Sequence, residues 1–379
     1  MGRTKRRLVI KDRQKMAKNI ALALLAVIAA AGLVVLAVFM VKKLRNKFTP
    51  ASVPIYGAES ICGTGDGILC LRSGVLDFYS YRDEDENFEK RVDPSVSASG
   101  VAGSAGIKVV YAENALDIVG SDFDTAPEGR VIGVRCGRTH AAVLTRAADG
   151  SDTITVYTSA SQKIASFEYA AGSLMDFGFS EASGSTLWTM ELSTASGTPR
   201  TTVSTFDLDR MSSTGVITVS GQLVERVFFT GQSVFVVGTE SLIRYSSSAN
   251  REVYRVQLYG WRVLDVSLSG EAPLLLLMPR SAASISECST ARLLTVHEKD
   301  VPSEKAASVV LPSGTVGCSA VNGSLMVVAE HSAALYDASG ERKASRSFPE
   351  GLTVGSQKLD EHHILLERSG EYILLTVGK

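Results

Sequence analysis

A short β-hairpin phrase recurs along most of this chain and limits the fold more than any other feature. The stretch from Gly231 to Leu258, GQSVFVVGTESLIRYSSSANREVYRVQL, contains three short apolar runs separated by small and polar residues. Comparable hairpins begin at Gly67, Gly106, Gly184, Gly323 and His362. Because the runs are short, rich in β-branched and aromatic residues and free of a sustained helical period, they predict an all-β domain.

The hairpins belong to larger units of four strands. Another strand precedes each hairpin, such as VERVFFT at Val224, and a more polar strand follows most of them, such as EVYRVQL at Glu252. The units begin near Ala58, Ser95, Val131, Ser173, Gln222, Trp261, Thr315 and Leu352. Their spacing of about 42 residues is typical of propeller blades.

The repeat therefore predicts an eight-bladed β-propeller over residues 58–379. Seven blades result if the weaker units between Pro94 and Arg130 form one irregular blade. A pair of β-sandwiches is the alternative that the same strand density allows. The last unit is one strand short, so we expect a strand at Ser52–Tyr56, within the linker 42–57, to close the ring and leave no open sheet edge.

An uninterrupted apolar stretch without charge, IALALLAVIAAAGLVVLAVFMV, occupies residues 20–41. As a helix it would span roughly 30 Å, which matches one bilayer crossing. A buried core helix and a cleaved signal peptide are the alternatives, but the apolar part of a signal peptide has only about 7 to 15 residues. The stretch predicts one transmembrane helix that contacts membrane lipid.

Basic residues flank the apolar stretch unequally. Eight Lys or Arg lie in the tail 1–19, against four in residues 42–47. By the positive-inside rule the tail lies in the cytosol and the propeller outside it. The predicted location is therefore the cell membrane, with a single pass and an extracytoplasmic propeller.

The charge of the large domain restricts its partners. Residues 1–47 contain 12 Lys or Arg and one acid, Asp12, so 27 basic and 39 acidic residues remain, a net charge of about −12. An acidic domain repels phosphate backbones, so we expect no nucleic-acid partner.

These features together resemble a known family. The basic tail, the single apolar span, the repeats of about 40 residues and hairpins of the form GxhhhhxxxxLxhY, with h a hydrophobic residue, are similar to a domain-of-unknown-function family of membrane-anchored, WD-repeat-like β-propellers from Gram-positive bacteria. The resemblance covers essentially the whole chain. Its motifs are architectural, so it implies the fold and the anchor and no functional residue.

No motif for catalysis, metal or cofactor binding is present. The sequence lacks GxSxG, SxxK and HExxH, and the five scattered cysteines form no CxxC pair. His362 and His363 are adjacent, and adjacent strand residues point to opposite faces, so they cannot chelate one ion together. We predict no cofactor, no metal site and no catalytic residue.

Three charged residues occupy the same place in successive predicted inner strands. Asp176 lies in LMDFGFS, Arg226 in VERVFFT and Asp265 in VLDVSLS. If this place faces the channel, the three are candidate ligand-binding residues. The alternative is a charge group whose members satisfy one another in a wet channel.

Long loops join the second and third strands of three units, and the longest, PRSAASISECSTAR, runs from Pro279 to Arg292. Equivalent loops of a propeller emerge on one face, where such scaffolds bind partners. Arg280, Glu287 and Arg292 are the charged candidates there. The alternative is that the insertions are tolerated and disordered.

The sequence predicts a single-pass membrane protein that displays a β-propeller as a binding or scaffolding module, with a protein or cell-envelope partner on the loop face. An alternative is an envelope hydrolase or lyase that uses Asp176 and Asp265 in the channel. A third hypothesis is a purely structural component of a membrane complex.

Overall fold

The computed structural model describes Gly32 and residues 48–378 apart from 93–97, 122–125, 181–183, 196, 232, 248–249, 270–271, 298–305 and 349–350. The chain forms two compact units, of which Phe48–Val377 is the unit described below. The predicted membrane span, residues 20–41, lies outside the described residues except for Gly32. No helix in the described part of the chain is long and apolar enough to cross a bilayer.

The strands are β1 (Phe48–Val53), β2 (Ser60–Gly63), β3 (Gly67–Arg72), β4 (Val75–Ser80), β5 (Phe88–Arg91), β6 (Ala98–Ser104), β7 (Ile107–Ala112), β8 (Leu116–Ile118), β9 (Arg130–Cys136), β10 (His140–Arg146), β11 (Asp152–Thr158), β12 (Lys163–Tyr169), β13 (Leu174–Phe179), β14 (Thr186–Ser193), β15 (Arg200–Asp207), β16 (Ser212–Ser220), β17 (Val224–Phe229), β18 (Ser233–Gly238), β19 (Ser241–Ser246), β20 (Glu252–Gln257), β21 (Trp261–Ser267), β22 (Leu274–Pro279), β23 (Thr290–Thr295), β24 (Ala307–Val310), β25 (Thr315–Val321), β26 (Ser324–Ala329), β27 (Ser332–Tyr336), β28 (Arg342–Ser347), β29 (Thr353–Lys358), β30 (His363–Arg368) and β31 (Glu371–Val377).

These strands form eight antiparallel sheets, one for each blade, and seven of the sheets are built from consecutive strands. Blade 1 is β2–β5, blade 2 is β6–β8, blades 3 to 7 are the five successive groups of four from β9 to β28, and blade 8 is β29–β31 with β1. The first strands of the blades surround the central channel, and several neighbours contact one another there, as β2 does β6 and β25 does β29. The predicted eight-bladed propeller is confirmed, and the β-sandwich alternative is wrong.

An N-terminal strand completes the last blade. β1 pairs with β31, with Phe48 opposite Val377 and Val53 opposite Tyr372. It begins four residues before the expected stretch Ser52–Tyr56, because Phe48 is only 6% exposed and packs into the apolar cluster between blades 7 and 8. Ile55, also buried, instead packs beside blade 1.

The strand directions define two faces of the propeller. The front face is where inner strands begin, and it also carries the loops between second and third strands. The back face carries the other two sets of turns. Because β1 is antiparallel to β31, the chain enters the propeller at Phe48 on the back face, where Val377 also ends.

Seven of the described inner strands contain a β-bulge at the same level near the front face. One extra residue stands between the paired residues of the strand, and the extra residues are Ser99, Ile132, Met175, Glu225, Leu264, Val316 and Val354. A bulge bends the strand and redirects its side chains. The repeated bulge therefore fixes which side chains reach the channel mouth.

Candidate functional site

The three charged residues predicted to share one position do so in the structure. Asp176, Arg226 and Asp265 each directly follow the bulge of their inner strand, in blades 4, 5 and 6. The equivalent residues of four other blades are glycines: Gly100, Gly133, Gly317 and Gly355. Side-chain charge at this level is thus confined to one sector of the channel.

The three residues line a common cavity of about 730 Å³ in the channel. Lys358, Asp360 and Glu361 of blade 8 line the same cavity from the opposite sector. Four carboxylates therefore face two cationic groups, and the cavity is acidic.

Asp265 is the centre of a network that joins blades 5 to 8. Its Oδ1 accepts a hydrogen bond from its neighbour Val266 N at 2.8 Å, and its Oδ2 accepts one from Ala320 N of blade 7 at 2.9 Å. Arg226 Nη1 lies 3.9 Å from Oδ1 and Lys358 Nζ lies 3.8 Å from Oδ2. The carboxylate thus contacts groups from three neighbouring blades.

Lys358 connects this network to Glu361. Its ammonium donates to Val266 O at 2.8 Å and to Glu361 Oε1 at 3.0 Å. The hydroxyls of Ser267 and Ser269 donate to Glu361 Oε2. Blade 8 is thereby tied to blade 6 across the channel.

The environments of the two carboxyls shift their pKa values in opposite directions. Burial raises the pKa of Asp265 above its ordinary value, although Lys358 and the backbone amides act against it. Burial also acts on Glu361, but Lys358 and the Ser267 hydroxyl outweigh it and lower the pKa of that carboxyl. Glu361 is therefore the more firmly ionised partner of Lys358.

Arg226 and Asp265 contact each other and neighbouring groups, as expected if the channel charges satisfy one another. Asp176 accepts a hydrogen bond from Phe177 N at 2.9 Å. Among the described residues no three His, Cys, Asp or Glu side chains converge to hold a metal ion. Ligand binding and the hydrolase or lyase alternative in this channel stay predictions.

The long loop after Pro279 is ordered and lies on the front face. Arg280 forms a two-pronged ion pair with Glu225 of blade 5, with contacts of 2.6 and 2.9 Å. Glu287 accepts a hydrogen bond from Ala283 N at 2.9 Å. Ile285, 8% exposed, anchors a 3-10 turn in the apolar cluster between blades 6 and 7. The contacts of Arg280 and Glu287 hold the loop in place, which favours a defined loop over the disordered alternative.

Arg292 lies apart from the other predicted residues. Its guanidinium is 4.3 Å from the centre of the Trp261 ring, beside a groove between blades 5 and 6. The structure therefore brings together the channel residues Asp176, Arg226 and Asp265, and separates them from the loop residues and from Arg292.

Exposed apolar side chains concentrate on the front face. Seven of the ten strongly exposed large hydrophobic residues in the described part lie there: Tyr56, Ile132, Met175, Tyr259, Val310, Leu352 and Val354. Ile132, Met175 and Val354 are bulge residues of three inner strands, 41, 44 and 55% exposed. We call these three side chains the apolar rim of the channel.

Sequence reasoning missed Lys358, Glu361 and the apolar rim. One feature of the sequence could have identified Lys358: it is a long cationic residue at the end of an inner strand, TVGSQK, that consists mostly of small residues. No feature of the sequence identifies the apolar rim, because a bulge inserts a residue without changing the hydrophobic pattern that reveals a strand.

No protein-family model matches this sequence, and no curated protein matches it. Solved structures of similar fold include the computationally designed Ika8 protein, with a TM-score of 0.55 and 8% identity over 86% of this chain and 98% of that chain. Saccharomyces cerevisiae Sqt1 gives 0.53 and 9% over 88% and 98%. Kluyveromyces lactis Hsv2 gives 0.51 and 12% over 78% and 100%.

At such identities the likeness shows the fold alone. The chain is an eight-bladed β-propeller in which seven blades have four antiparallel strands and blade 2 has three in the described part.

Proposed function

We propose that this chain is a binding module that docks a protein partner on its front face. The observation that carries the proposal is the apolar rim, with three large hydrophobic side chains exposed at one mouth of the channel. Exposed apolar groups that gather on one face mark interaction sites, whereas scattered ones need no explanation.

Two further features support docking of a protein partner at the front face. The long loop is fixed there by the Arg280–Glu225 ion pair and by buried Ile285, so it presents one surface to a partner. An apolar surface gains most from burial against a second protein, since hydrophobic contact releases ordered water from both sides. A protein therefore fits this face better than a purely polar envelope polymer.

The membrane location belongs to the same proposal. Residues 20–41 would anchor the chain, the basic tail 1–19 would contact anionic lipid in the cytosolic leaflet, and the propeller would lie outside the cytosol. The chain enters the propeller on the back face, at Phe48. Membership of the membrane-anchored propeller family is part of this proposal.

Removing the apolar rim is the test of docking. We expect a triple variant with Ile132→Ser, Met175→Ser and Val354→Ser to retain its fold, because exposed side chains contribute little to stability. It should lose the partner that co-purifies with the full chain from native membranes, with recovery falling at least about tenfold, as about 1.4 kcal/mol of lost binding free energy implies.

A matched triple variant controls for general loss of hydrophobic surface. Met211→Ser, Val216→Ser and Val253→Ser remove side chains that are 49, 54 and 42% exposed, at a back-face turn and on outer strands away from the front face. This variant should recover the partner at the level of the unaltered chain. Loss of the partner in the control with retention in the rim variant would contradict docking at the front face.

A further inference from the structure

A second surface feature lies between blades 5 and 6. A groove of about 220 Å³ separates the outer strand of blade 5 from the adjoining side of blade 6. Its floor is apolar and buried, formed by Val256, Leu258, Leu277 and Leu294, which are at most 7% exposed. The volume suits one large hydrophobic side chain and is smaller than the several hundred Å³ of ordinary small-molecule pockets.

The rim of the groove is aromatic and cationic. Trp261 and Tyr259 line it together with the guanidinium groups of Arg255 and Arg292, and none of the described residues that line it is acidic. Arg255 pairs with Glu252 at 3.0 Å, whereas Arg292 lies over Trp261 and forms no ion pair with an acid in the described part of the chain. The free guanidinium points to an anionic group of a ligand.

Tyr259 adopts a conformation that is unusual for its residue type. It has φ +38° and is followed by Gly260 at φ +81°, in a tight turn closed by the hydrogen bond from Trp261 N to Leu258 O at 3.0 Å. At comparable residue pairs the first position holds Ser73, Asn322 or Ser369. A bulky residue with positive φ is strained, and such strain is often kept for function. Here the strained turn holds an aromatic ring, 81% exposed, beside the groove.

A groove of the same kind between blades 3 and 4 has the opposite charge. It is about 310 Å³, is lined by Phe167, Tyr169 and Phe206, and carries Glu168 and Glu191 with no basic residue in its lining. The two grooves thus differ in the sign of the charge in their described lining. The acidic groove supplies a matched control.

We propose that the groove between blades 5 and 6 binds an extended segment of a partner protein in which a large hydrophobic residue is flanked by acidic residues. The hydrophobic side chain enters the groove between Tyr259 and Trp261, and the neighbouring carboxylates pair with Arg292 and Arg255. This inference rests on the proposed function in treating the propeller as a protein-binding module, and it names the chemistry of a second contact.

The test uses the full chain in detergent micelles and a blocked peptide, Ser-Gly-Asp-Phe-Asp-Gly-Ser, that carries a fluorophore for anisotropy. Comparison peptides replace both Asp by Lys, or Phe by Ser. We expect saturable binding of the first peptide and at least tenfold weaker binding of the other two, since each loses either the ion pairs or the apolar anchor. In a Trp188→Phe background, the remaining Trp261 fluorescence should change with the same saturation curve.

Three variants locate the site. Arg292→Gln should weaken binding about tenfold, whereas Glu191→Gln in the acidic groove should leave it unchanged. Tyr259→Asn should weaken binding and also raise the melting temperature by about 2 °C, because Asn tolerates the turn conformation better. A loss of binding through misfolding would lower the melting temperature instead.

Equal binding of the acidic and basic peptides, or binding that Arg292→Gln does not alter, would overturn the proposal. The apolar-rim variant should bind the acidic peptide normally. If the rim variant retains its co-purifying partner while the peptide behaves as expected, docking at the front face is contradicted and peptide binding in the groove is supported. If the rim variant loses the partner but no peptide binds, peptide binding in the groove is contradicted and docking at the front face is supported.

Discussion

Replacing Phe48 with Ala is expected to lower the free energy of unfolding of the propeller by about 3 kcal/mol. Phe48 is 6% exposed and packs with Val377 and residues of blades 7 and 8. The substitution leaves a cavity at the point where the two ends of the chain meet, so it weakens both a core and the closure of the ring. Urea unfolding of the full chain in micelles, followed by tryptophan fluorescence, measures the loss.

Ser52→Ala is the matched control in the same strand. Ser52 is exposed and pairs with Ile373 through its backbone, which the substitution leaves intact. It should change the unfolding free energy by less than about 0.5 kcal/mol. Equal stability of Phe48→Ala and Ser52→Ala would show that closure through β1 contributes nothing to the fold.

Replacing Lys358 with Met should destabilise the propeller by about 3 kcal/mol at pH 7. The ammonium lies 3.0 Å from Glu361 and 3.8 Å from Asp265, and both side chains are only about a quarter exposed or less. Without Lys358, two carboxylates remain in the channel wall with too little compensating charge. Lys163→Met removes an exposed cation of the outer strand β12 and should leave stability unchanged.

Lys358→Met should also change how the free energy of unfolding depends on pH. In the unaltered chain the pKa of Glu361 is lowered, so its contribution is present above the unfolded pKa and is lost as pH falls. The pKa of Asp265 is raised, so its protonation favours the folded state as pH falls. Loss of Lys358 raises both pKa values, so the deficit of the variant should shrink between pH 7 and about pH 5. A deficit that is constant over this range would contradict the charge network.

Much of the architecture could be predicted from the sequence because each blade repeats the same physical pattern. Inner strands begin at Arg130, Leu174 and Thr315, against predicted unit starts at Val131, Ser173 and Thr315. Alternating apolar residues bounded by Gly, Ser and Asn report strands and turns locally. The closing strand was placed too late because its position depends on the burial of Phe48 between two distant blades, which is a tertiary effect.

The candidate site was predictable only where it follows the repeat. Asp176, Arg226 and Asp265 occupy equivalent positions, so alignment of the repeats was sufficient to place them together. Lys358 and Glu361 reach Asp265 and Ser267 from about 90 residues away, through closure of the ring. Pairing across a channel leaves no pattern in the linear sequence.

Cross-linking in intact cells tests whether the front face of the propeller docks a protein outside the cytosol. A photoreactive amino acid is placed at Met175 on the apolar rim or at Met211 on the back face, which are 44 and 49% exposed. We expect a covalent adduct from Met175, with a protein that is secreted or faces the cell envelope, and none from Met211. Adducts only from Met211, or adducts with cytosolic proteins, would contradict this expectation.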